Sequence, residues 1–397
     1  MSGPQGHVIG VWLEPEQATF VTDVVARLGA SVAHAGASAP GRAAAVAQAL
    51  SAQPFDDLRE FLLSVGPRAG SAARGVTSSG SSESASAIDL LWIASAADIR
   101  FAEDPSMLAA MRACIARGVP VLSSAAVPGS LFEFVSSQDP VLIAGPQDSG
   151  AAADAASVSA ATLWPEMFPR FRLSGPFIDV ASELESFGRT GAVHMQHVGS
   201  AVQASAGARL IDTLDTIAYL LGEPEDIYAA YAPAADAAPR HATAKLSAAA
   251  HGPSLQTVRA LRGTLSATLR YSDGRGASLL VSDCAGLWSR TLTLLGDGST
   301  DTGGRLTVTS TGIDWVDRAG APLERRRPAR RRGDIDRIGE ATLAFADALS
   351  PIGRQQTRMH PPINHPMVLS MAGAAILSAT TGEPESPSTI RRMIPSS

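Results

Sequence analysis

Short apolar runs alternate with apolar residues at helical spacing through the first 130 positions. HVIGVW (7–12) reads as a buried strand. Phe20, Val21, Val24, Val25 and Leu28 mark one face of a helix over Gln17–Leu28, which Gly29 stops. ASVAHAG (30–36) predicts a second strand and Ala43–Leu50 a second helix. FDDLREFLL (55–63) predicts a short helix opened by Asp56 and Asp57, carboxylates suited to the positive end of a helix dipole. DLLWIAS (89–95), a helix over Pro105–Arg117 closed by Gly118, and VPVLSS (119–124) complete the series. Such alternation implies a parallel sheet with helices on both faces, and right-handed crossovers make it doubly wound.

After about residue 225 the pattern becomes one of alternating strands. Residues 258–286 carry a hairpin signal at Ser272–Asp273–Gly274, and SRTLTLLG (289–296), GRLTVTS (304–310) and GIDWVD (312–317) continue as an antiparallel meander. DGSTDTGG (297–304) supplies a turn, and two helices near 335–349 and 366–380 close the chain. The expected architecture is α/β: a doubly wound, parallel-sheet (Rossmann-type) domain over 1–130, then an α+β domain over 131–397. The second domain has an open antiparallel sheet with helices on one face. Two Ser/Gly-rich segments, 70–87 and 145–160, read as surface loops.

The chain has 397 residues, 45% hydrophobic and 18% charged, a globular composition of two ordinary domains. A net charge of −6 argues against general nucleic-acid binding, which needs a basic face. No apolar run reaches membrane-spanning length, and MSGPQG lacks a secretory pattern, so a reducing cytoplasm is expected. Cys114 and Cys284 are too far apart for a C-x-x-C metal cluster and read as small core residues. His194 and His197 in VHMQHVG would lie on opposite faces of a strand and lack a third ligand. His360 and His365 sit in a proline-broken stretch as surface or capping residues, so no metal is expected. Lys245 is the only lysine, which limits any lysine chemistry to one position. ERRRPARRRGD (324–334), with its arginines between Arg325 and Arg332, suits either an anionic ligand or partner surface, or a solvated loop.

The order of blocks FDDLREFLL, DLLWIASAADI, MRACIARGVPVL, LIDTLDTIAYLLGEPEDIYAAY (210–231), YSDGRGASLLVS, LTLLGDGSTDTGGRLTV and AAILSATTGEP resembles the Gfo/Idh/MocA family of NAD(P)-dependent sugar and inositol oxidoreductases, over nearly the whole chain. The resemblance implies NAD or NADP as cofactor, a small polyhydroxylated ligand, and a homo-oligomer paired through the C-terminal sheet. Its chemical motifs are altered. The glycine-rich phosphate loop corresponds to Gly10, Val11, Trp12, Leu13, Glu14, Pro15 and Glu16, with one glycine left and two carboxylates where phosphates would lie. Each like-charge contact at ~4 Å costs about 1–4 kcal/mol. Gly10, Trp12 and Leu13 are the cofactor candidates of this loop, with Ser95 and Ser124 at the ends of later strands. The alternative is an ordinary strand-to-helix turn. HAGASAPGR (34–42) offers no acid for a ribose; Arg42 suits either a 2′-phosphate or a solvated helix start.

The family's E-K-P motif falls on Ser124, Ala125 and Ala126, without the lysine, and D-x-G-x-H-x-x-D falls on Ala208, Leu210, Asp212 and Asp215, without the histidine. Asp212 and Asp215, three apart on one helix face, suit an acid/base pair in a cleft. The structural alternative is that Asp212 caps the helix and Asp215 holds it against the first domain. Three functions follow: an oxidoreductase with weak or lost turnover, a non-catalytic ligand-binding or scaffold subunit, or an enzyme using Asp212 and Asp215 without a nicotinamide.

Overall fold

The computed structural model describes residues 6–39, 41–68, 87–96, 99, 104–136, 164–235, 257–309, 312–324, 341–342, 345–346, 349 and 361–394. Segment 145–160, nearly all of 70–87, Lys245, His360, Arg325–Arg332 and most of the helix expected near 335–349 lie outside these residues. The chain divides into two compact units. One comprises Met1–Pro128, Phe132–Phe168 and Ala341–Pro362; the other comprises Gly129–Leu131, Pro169–Glu340 and Ile363–Ser397.

In the first unit, β1 (Val8–Leu13), β2 (Ser31–Ala37), β3 (Gln53–Phe55), β6 (Leu90–Ile93), β7 (Val121–Ser123) and β8 (Glu166–Met167) form one sheet in the order β3-β2-β1-β6-β7-β8. Every pairing in it is parallel. The short ribbon of β4 (Gly66–Pro67) and β5 (Ala87–Ile88) is separate. Neither β3 nor β8 was expected. Pro54 has no N–H to give a second neighbour, which fits β3 to the edge it occupies. All four residues of β6 are buried, as a strand covered on both faces requires.

Helix α1 (Ala18–Leu28) buries Phe20, Val21, Val24 and Val25 and ends at Gly29, whose φ of +66° suits a residue without Cβ. α2 (Ala43–Leu50) follows, and α3 (Leu58–Ser64) is capped by Asp57, which accepts from Glu60 N at 3.0 Å. α4 (Pro105–Ala116) is capped by Asp104, and α5 (Leu131–Ser136) comes after β7. Trp92 is fully buried among the rings of Phe20, Phe168 and Phe345.

The second unit carries an eight-stranded sheet: β9 (Thr190–Ser200), β10 (Asp226–Pro233), β11 (Gly263–Arg270), β12 (Gly276–Ser282), β13 (Cys284–Gly296), β14 (Arg305–Thr309), β15 (Gly312–Val316) and β16 (Pro322–Glu324), in the order β10-β11-β12-β9-β13-β14-β15-β16. The expected meander is therefore split: β9 enters between β12 and β13, parallel to the first and antiparallel to the second. The β11–β12 turn falls at Asp273–Gly274, with Gly274 at φ +83°. Inward residues Val193, Met195, Leu265, Leu279, Val281, Leu292 and Leu294 are buried, while outward neighbours such as Ser266, Thr268 and His194 are exposed. Helices α6 (Gly175–Ala181), α7 (Leu184–Phe187), α8 (Ala206–Leu221), α9 (His365–Thr381) and α10 (Pro387–Arg392) complete the unit. His194 and His197 lie on opposite faces of β9, the first exposed and the second buried. Cys114 is buried as expected; Cys284, at the start of β13, is exposed and not a core residue. Among the described residues no helix is long and apolar enough to cross a membrane.

Candidate functional site

Strand order in the first sheet reverses at the β1/β6 junction, because β2 and β3 lie on one side of β1 and β6 to β8 on the other. In such sheets the ligand crevice opens outside the carboxyl ends of the strands at that junction. The expected loop over Gly10–Glu16 is shorter in the structure. β1 runs to Leu13, paired with Ala37, so Gly10, Trp12 and Leu13 are strand residues and the turn is Glu14 alone before the 3-10 turn Pro15–Gln17. Gly10 has a packing role: a Cβ there would meet Phe61 and Ile88 at 3.2 Å. Trp12 is 4% exposed and lies over Gly36, where a Cβ would come within 2.5 Å of its ring, with the Phe55 ring 5.5 Å away.

Glu14 organises the strand ends. Its Oε1 accepts hydrogen bonds from Ser38 Oγ, just past β2, and from Ser95 Oγ at 3.2 Å, just past β6. Both serines are buried. Glu14 N donates to Gln17 Oε1 at 2.9 Å, Gln17 N donates to Glu14 O at 2.9 Å, and Gln17 Nε2 reaches Ala94 O at 3.2 Å. Backbone pairing also continues past the strands, from Ser38 N to Leu13 O and from Ala94 N and Ser95 N to Trp12 O. Ser124 is turned inward, 3% exposed, accepting from Trp92 Nε1 at 3.0 Å. Ala125 follows it, and the proline that the E-K-P frame lacks at Ala126 occurs at Pro128, after Val127; Ala125 and Val127 are both buried.

The second candidate lies wholly in the second unit. Ser205 caps α8, accepting from Ala208 N at 3.2 Å, so Asp212 sits two turns in and is not the helix-start residue that its motif position suggested. Asp212 and Asp215 are 2% and 3% exposed. Asp212 Oδ1 accepts from Phe171 N at 2.7 Å, and its Oδ2 lies 3.4 Å from both Arg290 Nη1 and His197 Nδ1. Asp215 holds Arg172 in a two-pronged pair, Nε at 2.7 Å and Nη2 at 3.0 Å. Arg290 lies over the Phe171 ring at 4.3 Å, and Arg172 over Tyr219 at 5.2 Å. The sequence reading found the two aspartates but not Arg172, Arg290 or His197. Their pairing comes from β9, β13 and the turn at Phe171–Leu173, and no spacing rule reaches that far. Among the described residues no group of three or more His, Cys, Asp or Glu is placed to hold a metal.

No protein-family model and no curated protein matches the sequence. Solved structures do match, and they define the class: the chain has the fold of the Gfo/Idh/MocA-type dehydrogenases. Among them are an oxidoreductase from Agrobacterium radiobacter in complex with NAD+, L-tartaric acid and magnesium (13% identity, TM-score 0.54, covering 97% of this chain and 99% of that one). Apo scyllo-inositol dehydrogenase from Lactobacillus casei is similar at 14% identity and TM-score 0.53, over 96% of this chain and 98% of that one. A myo-inositol dehydrogenase from Corynebacterium glutamicum is similar at 13% identity and TM-score 0.52, over 96% and 98%.

Proposed function

We propose that this chain is a non-catalytic member of the dehydrogenase fold: a homo-oligomeric subunit that binds a small polyhydroxylated ligand and does not transfer hydride. The observation that carries this reading is the position of the expected proton-transfer histidine. Asp212 stands there, buried against Phe171 N, Arg290 and His197. A general acid or base must reach its substrate directly or through one water. Asp212 and Asp215 are instead committed to cationic neighbours, which favours the structural alternative over an acid/base pair. At the place of the E-K-P lysine, Ala125 and Val127 carry no titratable group. The nicotinamide that the fold implies does not suit the strand ends of the first unit, where Trp12 and Leu13 are buried and Glu14 is anionic. Polyols and hydroxy acids are the ligands suggested by the inositol dehydrogenases and the tartaric acid complex among the similar structures. A reducing cytoplasm suits the two cysteines, neither of which is in a disulfide.

The test is turnover. Purified protein mixed with NAD+ or NADP+ and a panel of inositols, aldoses and tartrate is expected to give no reduced nicotinamide by absorbance. Sustained reduction with any of them overturns the reading.

A further inference from the structure

We infer that Glu14 is the fold's own ligand for the phosphate corner of the first sheet. Its carboxylate takes the hydroxyl donors that an external phosphate would use and ties three strand ends together. This goes beyond the loss of turnover, because a protein can lack hydride transfer and still hold a dinucleotide.

Three observations support the assignment. The first is position: Glu14 directly follows β1, and Ser95 lies two residues past the end of β6, so their hydrogen bond spans the junction where strand order reverses. The ligand crevice of such a sheet lies just outside these two strand ends. Here Ala94 N at 2.8 Å and Ser95 N at 3.3 Å still donate to Trp12 O, so the ends stay paired. The second is chemistry. One carboxylate oxygen accepts from two buried hydroxyls that lie just past two different strands, the arrangement expected of a bound anion. The third is the local backbone. Glu14 N, which would face a phosphate in a glycine-rich turn, donates to the Gln17 side chain. Ser38 also stands at the end of β2, where a dinucleotide fold places its ribose-binding acid. Glu14 reaches across from β1 and brings a carboxylate to that place from the neighbouring strand.

Removing the carboxylate should convert a closed, self-liganded corner into an open anion site. The experiment compares thermal melts of wild type, Glu14→Ala and Glu14→Gln, each alone and with inorganic pyrophosphate, NADH or NADPH at about 10 mM. Glu14→Gln keeps the hydroxyl acceptor and the side-chain volume, so it serves as the folded control and, like wild type, should show no shift. Glu14→Ala should melt lower, and pyrophosphate should raise its melting temperature by at least ~2 °C. A wild-type shift with NADH or NADPH that Glu14→Ala abolishes overturns the inference, since Glu14 would then be a cofactor ligand. Pyrophosphate shifts absent from Glu14→Ala, or equal in all three proteins, overturn it too. If Glu14→Ala does not fold, Ser95→Ala replaces it, because losing one hydroxyl partner frees the carboxylate without emptying the corner. That variant should melt lower than wild type, and unchanged melting would overturn the inference. None of these results depends on turnover, so the inference can fail while the proposed function stands.

Discussion

The Arg172–Asp215 pair is the clearest single test of how the buried charges on α8 are held. Both side chains are about 5% exposed, and the pair is two-pronged. Removing one partner leaves the other charge buried without its counter-ion, at a cost of about 3–5 kcal/mol. Asp215→Ala and Arg172→Ala should each lower stability by that order in urea unfolding, and the double variant should lose clearly less than their sum. Additive losses would mean that the two groups act independently. The exposed Arg189–Asp273 pair, at 3.0 Å, is the contrast, because solvent screens it and its loss should leave the urea midpoint nearly unchanged. A second residue gives a pH signature. Burial, and then the charge of Arg170, push His365 down from 6.5 to about 4. The unfolded chain therefore takes up a proton first. The stability that neutral His365 contributes is intact above 6.5 and is lost as pH falls toward 4. His365→Gln should flatten that part of the urea-midpoint profile; a profile with unchanged slope would remove His365 as its source.

At the scale of elements, α8 is held by a close approach that only glycine permits. A Cβ on Gly207 would stand 1.9 Å from the carbonyl oxygen of Val258, a backbone atom that cannot swing aside. In an ordinary helix Gly→Ala gains up to ~1 kcal/mol. Gly207→Ala should instead destabilise by several kcal/mol, among the large values that core overpacking produces. Gain of stability in calorimetry would show that the helix can shift freely. The element scale also shows what the sequence could and could not reveal. Helix α1 was readable from its local period of apolar residues and strands β1, β2, β6 and β7 from short apolar runs, and Gly29 and Asp57 mark ends by their own chemistry. Strand β3, three residues with Pro54 inside, and β8, two residues long, are too short for any period to register. β9 reads as a strand in VHMQHV, yet its place between β12 and β13 depends on partners some 80 to 100 residues away. The candidate sites divide the same way. The three-residue spacing of Asp212 and Asp215 was visible, but Phe171 and Arg290, 41 and 78 positions from Asp212, were not. Glu14 was visible as a misplaced charge; Ser38 gave no signal, because one serine after a strand carries no pattern.

For the whole molecule the open face of the eight-stranded sheet is decisive. Its inward side chains are buried, whereas the outward row across the central strands includes Thr264, Ser266 and Thr268 of β11, Ser278 and Leu280 of β12, His194 and Gln196 of β9, and Thr291 and Thr293 of β13. Most of these side chains are small hydroxyl groups and none is Lys, Arg, Asp or Glu, so this part of the face is flat and cheap to dehydrate compared with a charged one. Taken over all eight strands at about 4.8 Å spacing, with a mean length near seven residues, the face presents roughly 800 Å², close to the ~800 Å² per partner of a standard interface. A second copy of the same face is the expected partner, since a two-fold axis lets one patch serve both sides, residue i of one copy meeting residue j of the other and j meeting i. The protein should therefore scatter light as a dimer or larger at tens of micromolar. Thr291→Arg with Thr293→Arg puts two guanidinium groups on adjacent outward positions of β13. Related by the two-fold axis they become four facing charges, a repulsive arrangement that no neutral face can balance. The double variant should then run as a monomer while keeping its circular dichroism, because both positions project away from the core. A wild type that is monomeric under those conditions removes the sheet as an interface. A variant that stays oligomeric moves the interface to another surface, and the reading of this chain as a sheet-paired subunit falls with it.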